Sequence, residues 1–203
     1  METALFPASS PEALPRALQL LQGGGLVAFP TDTVYGLGAS LNNPTSIALL
    51  YQVKDRQTSK AIPVLLGSSA DLELVAEGVS EIARRFAERF WPGPLTLVVP
   101  RRPDLPEMLS PGPTIGVRMP DHPLALALLR QAGPLAVTSA NLSGGASAVT
   151  ALEVLAQLEG RIPLILDGGR CPGGSPSTVV DCTGSGLLIL RQGPISLDDL
   201  LRA

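Results

Sequence analysis

Five small groups of polar residues stand out because their types could bind and orient an anion. Thr31-Asp32-Thr33 places two hydroxyls and a carboxylate directly after the apolar run 26–29, with Gly36 and Gly38 close behind. A strand that ends in such a cluster is where open α/β sheets hold their ligands, and glycine there permits positive φ or close approach to the backbone. An ordinary strand and glycine turn would use the same residues. Lys54-Asp55-Arg56, with Lys60, contains both lysines of a chain whose 15 basic residues are otherwise arginine. Lysine is a compact point charge suited to phosphate oxygens. In an extended segment, positions 54 and 56 project to one side and could hold two non-bridging oxygens. A solvated helix end, its cations set against the helix dipole, accounts for them equally well. Ser139-Ala140-Asn141, followed by Ser143 and Ser147, is a third group, and a helix cap or turn would choose the same types. Pro176-Ser177-Thr178 with Arg191 is the fourth. The fifth is Arg118 alone on an apolar segment, where burial demands an anionic partner, either a ligand or an internal salt bridge.

Other chemistries lack their residues. There is no G-x-x-x-x-G-K-[ST] loop and no G-x-G-x-x-G. The single histidine, His122, follows Met119-Pro120-Asp121 at a helix start and reads as structural rather than as part of a triad. With two cysteines, Cys171 and Cys182, a zinc site is excluded and buried thiols are expected in place of a disulfide. A net charge of −3 gives no global basic field for nucleic acid, though a local patch stays open. No apolar run is as long as a membrane span, and no basic-then-apolar leader opens the chain, so a cytoplasmic protein without membrane contact is expected. What remains is hydroxyls, amides and cations at strand ends.

The elements that must position these groups alternate between apolar runs and helical patterns. Residues 1–10 read as a loose terminus. A helix is predicted over 11–22, a strand over 26–29, and a helix capped by Asn43 with Pro44 at its first position, ending near Lys54. Further strands are predicted over 61–66, 95–99, 114–119, 135–138, 162–166, 177–182 and 187–191. Helices are predicted after Ser68, Ser80, Asp121, Thr150 and Ser196, with Thr150 and Glu153 forming a capping box. The proline-rich stretch 101–113 reads as an exposed loop, and 167–176 as a glycine-rich one. The last two strands, joined by a tight turn, predict an antiparallel pair. About eight strands with six or seven helices predict one α/β domain over 1–203, built on a mixed sheet.

Read together and in order, Pro30 to Gly38, Lys54-Asp55-Arg56, Gly116 to Pro120, Thr138 to Gly144, Pro176 to Asp181 and Leu190 to Gly193 closely resemble the YrdC-like family. The resemblance runs from about 11 to 196. It implies a twisted α/β sheet with helices around a large positive cavity, and the single-domain bacterial form without an additional C-terminal domain. It also implies a nucleotidyltransferase. L-threonine, bicarbonate or CO2, and ATP would give L-threonylcarbamoyl-AMP and pyrophosphate, for threonylcarbamoyladenosine at position 37 of tRNAs reading ANN codons. By motif match, catalysis falls to Lys54, Arg56, Ser139 and Asn141. ATP falls to those four with Lys60, Thr114, Ser147 and Arg191, and threonine to Thr33, Arg118 and Ser177. Mg²⁺ would arrive with ATP, and no side chain is assigned as a metal ligand. The implied partners are a tRNA-modifying threonylcarbamoyl transferase complex and, as a further class, tRNA or double-stranded RNA. Two other readings share the motifs: a non-catalytic RNA-binding module, and a carbamoyl-AMP-forming relative from hydrogenase maturation. The sequence departs from many longer members at Gln57, where they have proline, at Lys60, often asparagine or histidine, and at Leu65, where they carry a histidine against threonine.

Overall fold

In the computed structural model, residues 2–184 and 186–203 are described. Their organising element is one ten-stranded, twisted mixed sheet in the order β1-β8-β2-β3-β7-β4-β6-β5-β9-β10. The strands are β1 (Ala4–Pro7), β2 (Val27–Phe29), β3 (Gly36–Ser40), β4 (Val64–Leu65), β5 (Leu95–Pro100), β6 (Thr114–Arg118), β7 (Leu135–Ser139), β8 (Leu164–Asp167), β9 (Thr178–Asp181) and β10 (Leu188–Arg191). The helices are α1 (Ala13–Gln22), α2 (Pro44–Val53), α3 (Glu81–Phe90), α4 (Pro123–Ala132), α5 (Ala151–Leu158) and α6 (Leu197–Leu201). Two 3₁₀ turns, Ser69–Leu74 and Glu107–Leu109, complete them.

Helix starts follow local chemistry. Asn43 accepts from the Ser46 amide with Pro44 at the first position, and Ser196 with Asp199 forms a reciprocal capping box. The box expected at Thr150 is only half formed. Its hydroxyl accepts from the Glu153 amide, but the Glu153 carboxylate takes the Val149 amide one residue earlier. His122, not Asp121, is the cap residue of α4 and makes no side-chain cap; Asp121 instead donates its amide to Asp32.

Two expected loops are strands. The terminus holds β1, a parallel edge strand on β8, tied by the Thr3 hydroxyl to the Ile162 carbonyl at 2.6 Å. Gly36 and Gly38 belong to β3, antiparallel to both β2 and β7. Their use is close approach, not positive φ: a Cβ on Gly36 would lie 2.8 Å from Val137 Cγ1. The strand predicted over 61–66 shrinks to Val64–Leu65. The stretch 101–113 is not wholly exposed, since Leu109 is buried in its 3₁₀ turn. The β9–β10 pair is antiparallel, with a register shift between Ile189 and Arg191. The turn expected between them includes residue 185, outside the described residues.

Strand alternation decides where the site lies. In β5, Leu95, Leu97 and Val99 enter the core shared with Ile47, Leu50 and Phe86, while Thr96 and Val98 face the other way. In β6, Ile115 and Val117 are core, and Gly116 and Arg118 face with Thr96. On that opposite face, α1 and α4 cover the other half of the sheet, packing Ala17, Leu21, Leu128 and Leu129 on Phe29, Leu65 and Val137. Leu65 and Val137 also line the cavity, so it opens beside these helices over the half-sheet they leave bare. Cys171 and Cys182 are buried free thiols.

Candidate active site

The cavity has a volume of about 410 Å³. Its apolar floor, with Leu65, Val98, Val137 and Val179, is built by neighbouring strands whose register also sets the polar residues: Val98 pairs with Gly116, Thr96 with Val179, Leu65 with Arg118 and Gly36 with Ser139. Its rim is polar and comes from strand ends. Of the residues singled out from sequence, Thr33, Arg56, Arg118, Ser139, Ser147, Ser177 and Arg191 line it. Among the described residues three arginines line it and no carboxylate does.

Arg118 at the end of β6 is held on three sides. Nε donates to the Gly93 carbonyl at 2.9 Å, one terminal nitrogen donates to Thr33 Oγ1 at 2.9 Å, and the other forms an ion pair with Asp32 Oδ1. The internal salt bridge that the sequence left open is therefore present, with both side chains about nine-tenths buried. A guanidinium has five N–H donors, so two remain on the terminal nitrogens. The hydroxyl network beside it has fixed directions. Thr31 donates to the Val34 carbonyl at 2.7 Å, so in the 3.0 Å contact between Thr31 and Thr33 the donor is Thr33.

Arg191, at the end of β10, donates twice to the Ser177 carbonyl, at 3.0 and 2.9 Å, and to Ser177 Oγ at 3.1 Å. Ser177 Oγ also meets Thr96 Oγ1 at 2.8 Å. Thr96 went unnoticed in the sequence. The signal was there, a lone hydroxyl at an alternate position of an apolar strand. Gly193 packs against the backbone of this segment, where a Cβ would stand 2.4 Å from the Thr178 amide nitrogen and 2.5 Å from the Pro176 carbonyl oxygen. These are backbone atoms and cannot yield cheaply. Gly193→Ala is expected to cost about 1–3 kcal/mol, lowering Tm by roughly 2–10 °C, and to loosen Arg191 from Ser177. Thermal denaturation of the variant checks this, and an unchanged Tm would refute it.

Residues 19–193 match the Sua5_yciO_yrdC family, described as telomere recombination. The chain belongs to this family. A Bacillus subtilis relative named threonylcarbamoyl-AMP synthase is 42% identical over 188 residues, covering 91% of this chain and 54% of the relative. A Mycobacterium tuberculosis relative is 38% identical over 201 residues, covering 97% of this chain and 93% of its own. The crystal structure of Pyrococcus abyssi Sua5 complexed with L-threonine superposes with a TM-score of 0.94 at 36% identity, over 100% of this chain and 60% of that one. The chain thus spans little more than half the length of the first relative.

Four residues that the family resemblance assigns to the site do not line the cavity. Lys54 is the most informative. As the cap residue of α2 it is helical, and Asp55 after it has φ 51°, so 54 and 56 are not in extended backbone. Lys54 turns inward, 1% exposed, and donates Nζ to the carbonyls of Ser139 and Asn141. Arg56 alone reaches the wall, donating to the Ala61 carbonyl at 2.9 Å. Lys60 is exposed beyond the turn, and Thr114 begins β6 one alternate position beyond Gly116. Asn141 is buried; its Nδ2 donates to the Leu142 and Gly145 carbonyls, and its Oδ1 has no partner among the described residues.

Burial, and then the Arg56 charge, push the Lys54 ammonium down from 10.5 to about 7. In this Sua5/YrdC chain the unfolded state therefore binds a proton at Lys54 that the folded state lacks between those values. Stability from this group rises with pH across that window and is flat below it. Between pH 7 and 8.5 the gain is about 1.5 kcal/mol. Urea denaturation at both pH values should show this increment in the wild type and not in Lys54→Met. Equal slopes would refute the depressed value.

Proposed function

We propose that this chain catalyses the synthesis of L-threonylcarbamoyl-AMP from L-threonine, bicarbonate or CO2, and ATP, with release of pyrophosphate. The observation that carries the reading is the bare half-sheet cavity: Arg118 with two unused donors at one end, Arg56 and Arg191 elsewhere on its wall. An amino acid carboxylate suits Arg118, between the hydroxyls of Thr33 and Ser177. Phosphates suit Arg56, with Ser139 and Ser147 along the nucleotide. A fold shared with a threonine-bound relative supports the assignment.

In the proposed reaction the neutral threonine amine takes up CO2 and releases one proton to solvent, giving an N-carboxylate. One of its oxygens attacks the α-phosphorus of ATP, and the bond to the bridging oxygen breaks as pyrophosphate leaves. Such a transfer needs positioning and charge stabilisation more than a protein nucleophile. Arg118 fixes the carboxylate so that the amine faces the nucleotide, the apolar floor excludes water from the mixed anhydride, and Arg56 offsets charge on the departing phosphates. No group of three or more histidine, cysteine or acidic residues among the described residues could hold a metal by itself. The Asn141 Oδ1, without a partner among the described residues, is a hard oxygen donor of the kind Mg²⁺ takes, and Asn141 would hold an ion arriving with ATP once this side chain, which lies behind the cavity wall, turns toward it. Bound Mg²⁺ would supply neutralisation of phosphate charge. The product is a reactive anhydride and is consumed by acyl transfer. The consuming system we propose is a threonylcarbamoyl transferase complex that modifies adenosine 37 of tRNAs reading ANN codons. No helix among the described residues is long and apolar enough to cross a membrane.

The test is pyrophosphate release from ATP, threonine and bicarbonate, with the adenylate identified by mass. Release that does not depend on threonine would overturn the reading.

A further inference from the structure

Two loops carry the expected phosphate-side residues: the turn 53–56 and the segment 139–147. Both lead to one place outside the cavity, the C-terminal end of α5. There Gln157 spans the second loop, its Oε1 accepting from the Leu142 amide at 3.1 Å and its Nε2 donating to the Ala146 carbonyl at 3.1 Å. Just past the helix, Arg161 clamps the first loop. Its guanidinium donates to the Val53 carbonyl at 3.1 Å and pairs with Asp55 Oδ2 at 2.8 Å. Asp55 is the one non-glycine residue with positive φ among the described residues, at 51°. That conformation disfavours a side chain and persists where surroundings hold it. It is also what separates the two cations, sending Lys54 inward and Arg56 to the cavity wall. The loops are joined to each other by the Ser143 amide on the Lys54 carbonyl, at 2.9 Å, and by Lys54 Nζ on the Ser139 and Asn141 carbonyls.

We infer that the end of α5 is a brace for the nucleotide side of the site, with Gln157 and Arg161 as positioning residues that touch no substrate. Gln157 suits the task because it presents one acceptor and one donor to a loop that offers one of each. Arg161 suits it because one guanidinium reaches both a carbonyl and a carboxylate. The brace sets where Arg56, Ser139 and Asn141 stand relative to one another, and it leaves Arg118, Thr33 and Ser177 untouched. The inference rests on the proposed function in taking these loops as the ATP side.

The experiment is a set of four variants, Gln157→Ala, Gln157→Glu, Arg161→Ala and Arg161→Lys, each read in two ways. The first reading is kinetic. The alanine variants are expected to raise KM for ATP about tenfold and leave KM for threonine unchanged, because misplacement of a positioned group is costly. Lysine at 161 and glutamate at 157 each keep part of the contacts and should recover part of the loss. The second reading is amide hydrogen exchange on the free protein. It should speed up at Leu142 in Gln157→Ala and at residues 55–56 in Arg161→Ala, less so in the two conservative variants, with the β5, β6 and β9 amides unchanged. Unchanged exchange at those amides overturns the brace, whether or not the protein makes the adenylate. A parallel rise of both KM values, or a kinetic loss that the conservative variants do not lessen, assigns the contacts to general stability and overturns it as well. Lack of threonine-dependent turnover in the wild type overturns the proposed function alone, and the exchange result still decides the brace.

Discussion

Arg118→Ala is expected to raise KM for threonine about 30- to 1000-fold and to change KM for ATP less than about threefold. A carboxylate that loses two charge-assisted hydrogen bonds in a desolvated site loses about 2–4 kcal/mol. The same substitution has a structural cost. It leaves Asp32 buried and without its cation, which is worth about 3–5 kcal/mol when one partner of a buried pair is removed. The two effects must be separated, and Asp32→Asn does so. The double variant Asp32→Asn/Arg118→Ala has no uncompensated charge, so it should regain much of the stability and none of the threonine affinity. Calorimetry on the folded double variant checks this. Threonine binding as tight as in the wild type would leave Arg118 as a structural ion pair only. Arg118→Lys should also fail, because an ammonium cannot keep Gly93, Thr33 and Asp32 in place while presenting two parallel donors.

Arg118 also shows what the sequence could and could not reveal. A lone arginine in an apolar strand demanded an anion, and the Asp32 pairing shows one answer without removing the other. Local signals carried most helices, because caps such as Asn43, Ser80 and Ser196 act over three residues. They did not reveal β1 or β3. β1 depends on β8 at the other end of the chain, and β3, besides its neighbour β2, depends on the distant β7 and begins with a glycine whose reason is the Val137 side chain across the strand. The same limit applies to the site. Residue types named the groups, and alternation in β5 and β6 made the floor readable. The inward turn of Lys54 depends on one residue, Asp55, in a conformation that composition does not signal, and on an arginine that follows α5.

For that reason Arg56→Ala and Lys54→Met should fail in different ways. Among the described residues Arg56 makes one side-chain hydrogen bond, to the Ala61 carbonyl, and its Nε has no partner. Its removal should shift Tm by only a few degrees, since a single net hydrogen bond is worth about 1 kcal/mol. Pyrophosphate release should nevertheless fall about 10²-fold, if the guanidinium offsets charge that grows as the phosphates depart. Lys54 stands behind the site. Methionine there would take the place of the buried stem but leave the Ser139 and Asn141 carbonyls without their donor, at about 1–3 kcal/mol each. That variant should lose stability first, and lose turnover because Ser139 and Asn141 move. Arginine at 54 should not rescue it, since a planar fork cannot occupy the place of a compact ammonium between two converging carbonyls. Tm and turnover measured on the same preparations decide the matter. Normal turnover in Arg56→Ala removes it from the phosphate side. A Lys54→Met protein with wild-type Tm and lost turnover would instead put Lys54 on the nucleotide itself, with its side chain swung out of the position it holds between the two loops.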